Sequence, residues 1–186
     1  MSGGIPQEID TKSDFYRSMR CAVTVNRCVL SEREGDFIVF YQFDPEKGRG
    51  AEWFRAKWSP TVTGFFWDLS HDGTRIAYID TASGSNDIGI ETQSDDKTTK
   101  AQLHLDGYDP FATLYWDGTG KGFYVSSYNS NGDVLKLLHV GMDGKVAVLR
   151  QQISTQLSWA IPSPNGKHLA FQKFARKSNI WLLKRQ

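Results

Sequence analysis

In the heptapeptide DGTRIAY at residues 72–78, a turn glycine is followed at once by a short apolar strand. Two further copies lie along the chain, TGKGFYV at 119–125 and NGKHLAF at 165–171. The turn glycines of the three copies are Gly73, Gly120 and Gly166. They are 47 and 46 residues apart, and glycine suits a tight hairpin turn because it adopts a positive φ without steric cost. This regular step predicts a repeat protein.

A tryptophan precedes each turn glycine, so each unit is predicted to open with an aromatic strand and to return along the strand that follows the glycine. These tryptophans are Trp67, Trp116 and Trp159. Together with the glycines they are the predicted structural anchors of the repeat, with the indole rings packed between neighbouring units. A third strand follows in each unit and a fourth in the first two. Four short antiparallel strands in a repeat of this length are typical of a β-propeller blade.

The predicted fold class is therefore all-β, a β-propeller with about four blades of four antiparallel strands. The predicted domain covers residues 1–186 as one propeller or half-propeller, and its blades cover 16–56, 63–107, 112–150 and 156–186. The last blade ends after its third strand, and residues 3–10 are predicted to complete it as the outer strand. Three assemblies stay open: a closed ring, half of a larger ring made by two copies, and a fragment that exposes a blade face.

Charge and hydropathy exclude several kinds of partner. The 186 residues contain 22 Lys and Arg against 21 Asp and Glu, a net charge of +1, which argues against nucleic acid or an anionic membrane as a partner. No apolar run approaches the ~18 residues of a spanning helix, and the first residues lack the pattern of an export signal. We expect a soluble chain without membrane insertion, whose compartment and protein or small-molecule ligand stay unidentified.

No segment matches a known catalytic or metal-binding motif. The Gly-x-Ser-x-Gly nucleophile turn does not occur, and GTGKG at 118–122 lacks the spacing of a phosphate-binding loop and leads into a strand. The histidines, His71, His104, His139 and His168, fall in different units without metal-ligand spacing. The acidic loops do not follow the calcium-loop pattern. We therefore predict no catalytic residue, no cofactor-binding residue, no metal ligand and no cofactor.

The two cysteines are placed to meet across a hairpin. A two-residue turn at 24–25 would pair Cys21 with Cys28 on adjacent strands. In an oxidising compartment the pair can form a disulfide, and in the cytosol it would remain as two buried thiols. Both alternatives stay open.

Two segments carry a resemblance to a known family. WDLSHDGTRIAY at 67–78 and PSPNGKHLAF at 162–171 resemble the SPDG-R-IAF signature of TolB-type, WD-repeat-like bacterial propeller blades. GKGFYVSS at 120–127 and SNIWLL at 178–183 are similar to the final blades of bacterial proteins in which a propeller follows a serine/threonine kinase or winged-helix regulator domain. The resemblance implies the C-terminal half of such a propeller. It says little about function, because propellers are reused for unrelated tasks.

Two functional hypotheses follow from this scaffold. The main one is a non-catalytic propeller module for protein or ligand binding, as the sensory or scaffold part of a regulatory protein. The alternative is a hydrolase or lyase with a site assembled from several blades at the central channel. The observation that separates them is whether acidic and basic side chains converge there.

Overall fold

The computed structural model describes residues 18–59, 65–82, 86–94, 97–108, 110–129, 131, 134–153 and 159–171, and these residues form strands and turns without a helix. None of this described part could cross a membrane as a long apolar helix. The strands are β1 (Ser18–Cys21), β2 (Cys28–Glu34), β3 (Phe37–Asp44), β4 (Gly48–Lys57), β5 (Trp67–Leu69), β6 (Arg75–Ile79), β7 (Asp87–Ser94), β8 (Lys97–His104), β9 (Phe111–Trp116), β10 (Gly122–Tyr128), β11 (Val134–Gly141), β12 (Val146–Ile153), β13 (Ala160–Pro162) and β14 (Leu169–Phe171).

Consecutive strands pair as antiparallel meanders. Sheet one contains β1–β4, sheet two β5–β8, sheet three β9–β12, and sheet four β13 and β14. The first strand of each sheet contacts the first strand of the next, β1 with β5, β5 with β9, and β9 with β13. The first strands therefore form a common inner edge, and the predicted all-β propeller fold is confirmed. The predicted outer strand at 3–10 lies outside the described residues.

Alternation along the strands builds one apolar core on each side of sheet two. Ile76 and Tyr78 of β6 pack with sheet one, whereas Ala77 and Ile79 pack with sheet three. Side chains in a strand point alternately to opposite faces, so one sheet can contribute to both cores. The cores are closed by large side chains such as Phe40 of sheet one, which is fully buried.

The four sheets share one closing hydrogen bond across the turn after their first strand. In each, the amide of one residue donates across the turn to the carbonyl five residues later, at 2.8–2.9 Å. We call these donors the closing residues; they are Ala22, Ser70, Asp117 and Ser163. The glycines Gly73, Gly120 and Gly166 have φ values of 69°, 66° and 66° and each donates to the carbonyl of its closing residue. The turn glycines are therefore structurally equivalent.

The three tryptophans, in contrast, do not occupy equivalent positions relative to the turn, and their role as anchors stays a prediction. Trp67 lies three residues before its closing residue, Trp116 one and Trp159 four. Trp67 and Trp116 are buried, but Trp159 is 42% exposed. Leu114 and Ala160 lie three residues before their closing residues, as Trp67 does in sheet two. The side chains at this position differ in size because the space between each pair of sheets differs in volume.

The hairpin between β1 and β2 joins the two cysteines. The register pairs Cys21 with Cys28, and the structure contains their disulfide, with the sulfur atoms 1.99 Å apart. The turn is wider than a two-residue turn at 24–25. The amides of Val23 and Thr24 do not pair within the hairpin but donate to the carbonyl oxygen of His71 in sheet two, at 3.0 and 3.1 Å. The hairpin is thus docked on the neighbouring sheet.

Arginines tie the turns of adjacent sheets together. Arg27 of sheet one donates to the carbonyl of Gly73 at 2.9 Å, and Arg75 of sheet two donates to that of Gly120 at 3.0 Å. The turns of sheets three and four are in direct backbone contact at Gly118 and Gly166. A Cβ on Gly118 would be 2.3 Å from the Gly166 Cα.

Candidate active site

The inner edge carries one equivalent side chain from each sheet, located two residues before the closing residue. These side chains are Arg20, Asp68, Tyr115 and Ile161. We call this the inner-edge position. Because the first strands of consecutive sheets are in contact, the four positions follow one another along the inner edge. Three of them bear groups that can bind ions or transfer protons.

Arg20 reaches from sheet one to sheet two. Its Nε lies 3.6 Å from Oδ1 of Asp68, and its guanidinium carbon lies 5.7 Å from the centre of the Trp67 ring. Its Nη1 donates to the Met19 carbonyl at 3.0 Å. The Arg20 side chain is 37% exposed, so the guanidinium, which has five N–H donors, is accessible to an anion from solvent.

Asp68 is held from its other side by sheet three. The Trp116 amide donates to Asp68 Oδ2 at 2.9 Å, and the Trp116 indole donates to the Asp68 carbonyl at 3.2 Å. Burial raises the pKa of Asp68 to about 6, although the Trp116 amide and the Arg20 charge both lower it. A carboxyl group with such a pKa can accept or return a proton near neutral pH.

Tyr115 follows Asp68 on the inner edge of sheet three. Burial raises the pKa of its phenol; the charge of Arg20 lowers that pKa and the charge of Asp68 raises it. Tyr115 is therefore close enough to both groups to feel their charges, and its hydroxyl remains protonated at neutral pH. A neutral phenol can donate a hydrogen bond to a bound oxygen atom.

Ile161 occupies the inner-edge position of sheet four and is 47% exposed. It adds an apolar surface next to Tyr115. Taken together, the inner edge presents a cation, a carboxyl with a pKa near neutrality, a phenol and an apolar side. This combination suits a small anionic ligand and proton transfer to or from it.

The other residues singled out in the sequence lie apart from this site. His104 is hydrogen-bonded to Asp87 and Asp106 through its two ring nitrogens. His139 Nε2 lies 3.0 Å from Asp117 Oδ2. His71 accepts the hairpin amides through its backbone carbonyl, and the His168 amide donates to Ser163 Oγ. Among the described residues, no three His, Cys, Asp or Glu side chains are grouped to hold a metal ion.

The GTGKG segment forms a hairpin turn whose amides are occupied internally. Asp117 Oδ1 accepts hydrogen bonds from the amides of Thr119 and Lys121, at 3.0 and 3.1 Å. A carboxylate of the protein thus occupies the place where a phosphate would sit in a phosphate-binding loop.

Sequence reasoning did not select Arg20, Asp68 or Tyr115 as site residues. A signal for two of them was present, because Asp68 and Tyr115 each lie five residues before a turn glycine, as does Ile161. This common spacing is hidden when the repeats are aligned on their tryptophans, which lie at different distances from the turn glycines. Arg20 had no such signal, since the first turn contains no glycine at the equivalent place.

Solved structures similar to this chain include two putative 6-phosphogluconolactonases. The one from Bacteroides uniformis is 16% identical, with a TM-score of 0.48, covering 82% of this chain and 46% of that one. The one from Bacteroides fragilis is 16% identical, with a TM-score of 0.47, covering 82% and 47%. A protein from Lactobacillus plantarum is 18% identical, with a TM-score of 0.49, covering 84% and 44%. The chain thus spans less than half the length of each. It matches no protein-family model and no curated protein.

The main functional prediction, a non-catalytic binding module, was wrong. Two of the three structures named above bear the name of a putative enzyme. In addition, the basic Arg20 and the acidic Asp68 converge at the inner edge, which is the observation that separates an enzyme from a binding module. The alternative prediction, a site assembled from several blades, agrees better with the convergence of Arg20 and Asp68. At 16–18% identity the likeness concerns the fold and assigns no reaction to this chain.

Proposed function

We propose that this chain is a hydrolase with an active site for a small anionic substrate, formed by Arg20, Asp68 and Tyr115. The observation that supports it most is the 3.6 Å approach of the Arg20 guanidinium to the Asp68 carboxyl at an accessible inner edge. The three residues come from equivalent positions of three successive sheets. A site of this kind takes one residue from each repeat, because only the inner edge brings the repeats together.

Each residue has a distinct chemical role in this proposal. Arg20 binds the anionic group of the substrate through charge-assisted hydrogen bonds. Asp68 accepts a proton from a water molecule as the water attacks the electrophilic centre, and returns the proton to the departing oxygen. Tyr115 donates a hydrogen bond to the oxygen on which negative charge develops. The pKa of about 6 leaves most of Asp68 ionised at pH 7, as a general base requires.

The test is a hydrolysis assay with small esters and lactones that carry a carboxylate or phosphate. The set includes 6-phosphogluconolactone, the compound in the name of two of the similar structures. Asp68→Asn should lower kcat by about 10²-fold or more and abolish the rise of kcat/KM with pH around 6. The matched control is Asp143→Asn, which changes an exposed turn carboxylate and should keep the activity of the parent chain.

Arg20→Gln separates binding from chemistry. It should raise KM about tenfold or more for anionic substrates and leave the KM of their uncharged analogues unchanged, because only the anion interacts with the guanidinium. Full activity of Asp68→Asn, or no hydrolysis of any compound in the set by the parent chain, would refute the proposed function.

We propose further that residues 1–186 form one propeller or half-propeller domain with TolB-type blades. The molar mass in solution distinguishes a ring closed within one chain from a ring shared by two copies. The signature at 67–78 supports the blade type. A monomer of 21.0 kDa would support closure within one chain, and a dimer would support a ring shared by two copies.

A further inference from the structure

The strand that carries Arg20 is short and lies at the inner edge of its sheet. β1 has four residues and, in the described part of the chain, pairs with β2 alone. At its start, the Trp67 indole donates to Ser18 Oγ at 2.7 Å. At its end, the residue directly after Arg20 is Cys21, which is bonded to Cys28 of β2. The disulfide therefore restrains the backbone next to the guanidinium that faces Asp68.

The disulfide is accessible from one side only. Cys21 is exposed, whereas Cys28 is 5% exposed and lies at the buried end of β2. Thiol–disulfide exchange requires that a thiolate reach one sulfur atom, and Cys21 offers it. Without the disulfide, the hairpin past Cys21 keeps the cross-turn hydrogen bond from the Ala22 amide to the Arg27 carbonyl and its contacts with the carbonyls of His71 and Gly73 in sheet two.

We propose that the Cys21–Cys28 pair is a redox control of the inner-edge site, in which the disulfide holds Arg20 against Asp68 and its reduction releases Arg20. The effect on catalysis rests on the proposed function, whereas the effect on the position of Arg20 does not. A dithiol is the reductant. Its first thiolate attacks the Cys21 sulfur and Cys28 leaves as a thiolate; its second thiol then displaces Cys21. Two electrons and two protons pass to the protein, which ends with two thiols, and the reductant ends as a cyclic disulfide.

The position of Arg20 can be measured without a substrate. The carboxyl group of Asp68 is titrated by NMR in the ¹³C-aspartate-labelled chain, once oxidised and once reduced with dithiothreitol. Reduction should raise the pKa of Asp68 by about half a unit or more, because the cation 3.6 Å away no longer stabilises the carboxylate. The Cys21→Ser/Cys28→Ser variant should resemble the reduced chain.

The Arg20→Gln variant is the matched control. Its Asp68 pKa should be the same in the oxidised and reduced chains, since the charge through which the disulfide acts is absent. An unchanged Asp68 pKa on reduction of the parent chain, or an equal rise in Arg20→Gln, would overturn the inference. Loss of the β-sheet circular dichroism on reduction would also overturn it, because the disulfide would then be a structural cross-link of the whole fold.

The hydrolysis assay adds the functional consequence. Reduction should raise KM for anionic substrates several-fold, in the same direction as Arg20→Gln. A chain that hydrolyses no substrate but shows the Asp68 pKa change refutes the proposed function and leaves the redox coupling in place. A chain that hydrolyses substrates equally well in both redox forms, with an unchanged Asp68 pKa, refutes the coupling and leaves the proposed function in place.

Discussion

Replacing Arg75 by alanine removes the side chain that ties sheet two to sheet three. Arg75 Nη2 donates to the Gly120 carbonyl at 3.0 Å, and its guanidinium carbon lies 4.6 Å from the centre of the Trp116 ring. Trp116 is fully buried and also holds Asp68 through its amide. The substitution therefore tests whether the contact between turns stabilises the packing of one blade on the next.

The expected loss follows from two interactions. A hydrogen bond with a charged donor contributes about 1.5–2 kcal/mol, and a cation–π contact at this depth about 0.5–1 kcal/mol. Arg75→Ala should thus lower the free energy of unfolding by about 2–3 kcal/mol. For a domain of this length, that corresponds to a fall in Tm of about 4–12 °C.

The equivalent arginine of sheet one is the control. Arg27 makes the same hydrogen bond, to the Gly73 carbonyl at 2.9 Å, but its side chain is more exposed and stacks on no aromatic ring in the described part of the chain. Arg27→Ala should cost about 1.5–2 kcal/mol, less than Arg75→Ala by the cation–π contribution of about 0.5–1 kcal/mol, because both hydrogen bonds are part-buried and have a charged donor. Arg75→Lys, which keeps the charge but not the planar group, should fall between the two alanine variants.

The assay is urea denaturation followed by tryptophan fluorescence and, in parallel, by circular dichroism. If Arg75→Ala is no more destabilising than Arg27→Ala, the stacking on Trp116 contributes nothing, and the reasoning from blade-to-blade ties is refuted.

Two further predictions concern sheet two. Gly89→Ala should destabilise the fold by about 1–3 kcal/mol, measured by the urea midpoint, because a Cβ at Gly89 would lie 2.4 Å from Cζ of the buried Tyr78 ring; an unchanged midpoint would contradict this packing. His104 has a raised pKa, chiefly through its hydrogen bond to Asp87 and then that to Asp106. The stability that protonated His104 adds should therefore be complete below the ordinary histidine pKa of 6.5 and disappear as pH rises through the raised pKa. The urea midpoints of the parent chain and of His104→Ala should differ at pH 5.5 and converge at pH 9. A difference that grows with pH would refute this assignment.

The blade pattern was predictable because it depends on local physics. A positive-φ glycine at a hairpin turn and an apolar strand after it are properties of a few neighbouring residues, and their recurrence at 47 and 46 residues is visible in the sequence. The pairing of Cys21 with Cys28 was visible for the same reason, since both lie in one hairpin. The width of that hairpin was not, because its amides bond to His71 in another sheet.

The tryptophans show where local pattern misleads. Trp67 and Trp116 are buried between sheets whereas Trp159 is 42% exposed, and the three stand at different positions although each precedes a turn glycine. The size of the gap between two sheets depends on both sheets at once. No window of the sequence around one tryptophan contains that information.

The repeat unit of this protein can be read from the amino-acid sequence, because only certain residues adopt the backbone conformation of its turns. The set of side chains that meet depends on the packing of the sheets. Arg20, Asp68 and Tyr115 are separated by 48 and 47 residues, and they come together because the first strands of consecutive sheets pack along one inner edge. The raised pKa of Asp68 has the same origin, since the burial that causes it is supplied by the packed neighbouring sheets.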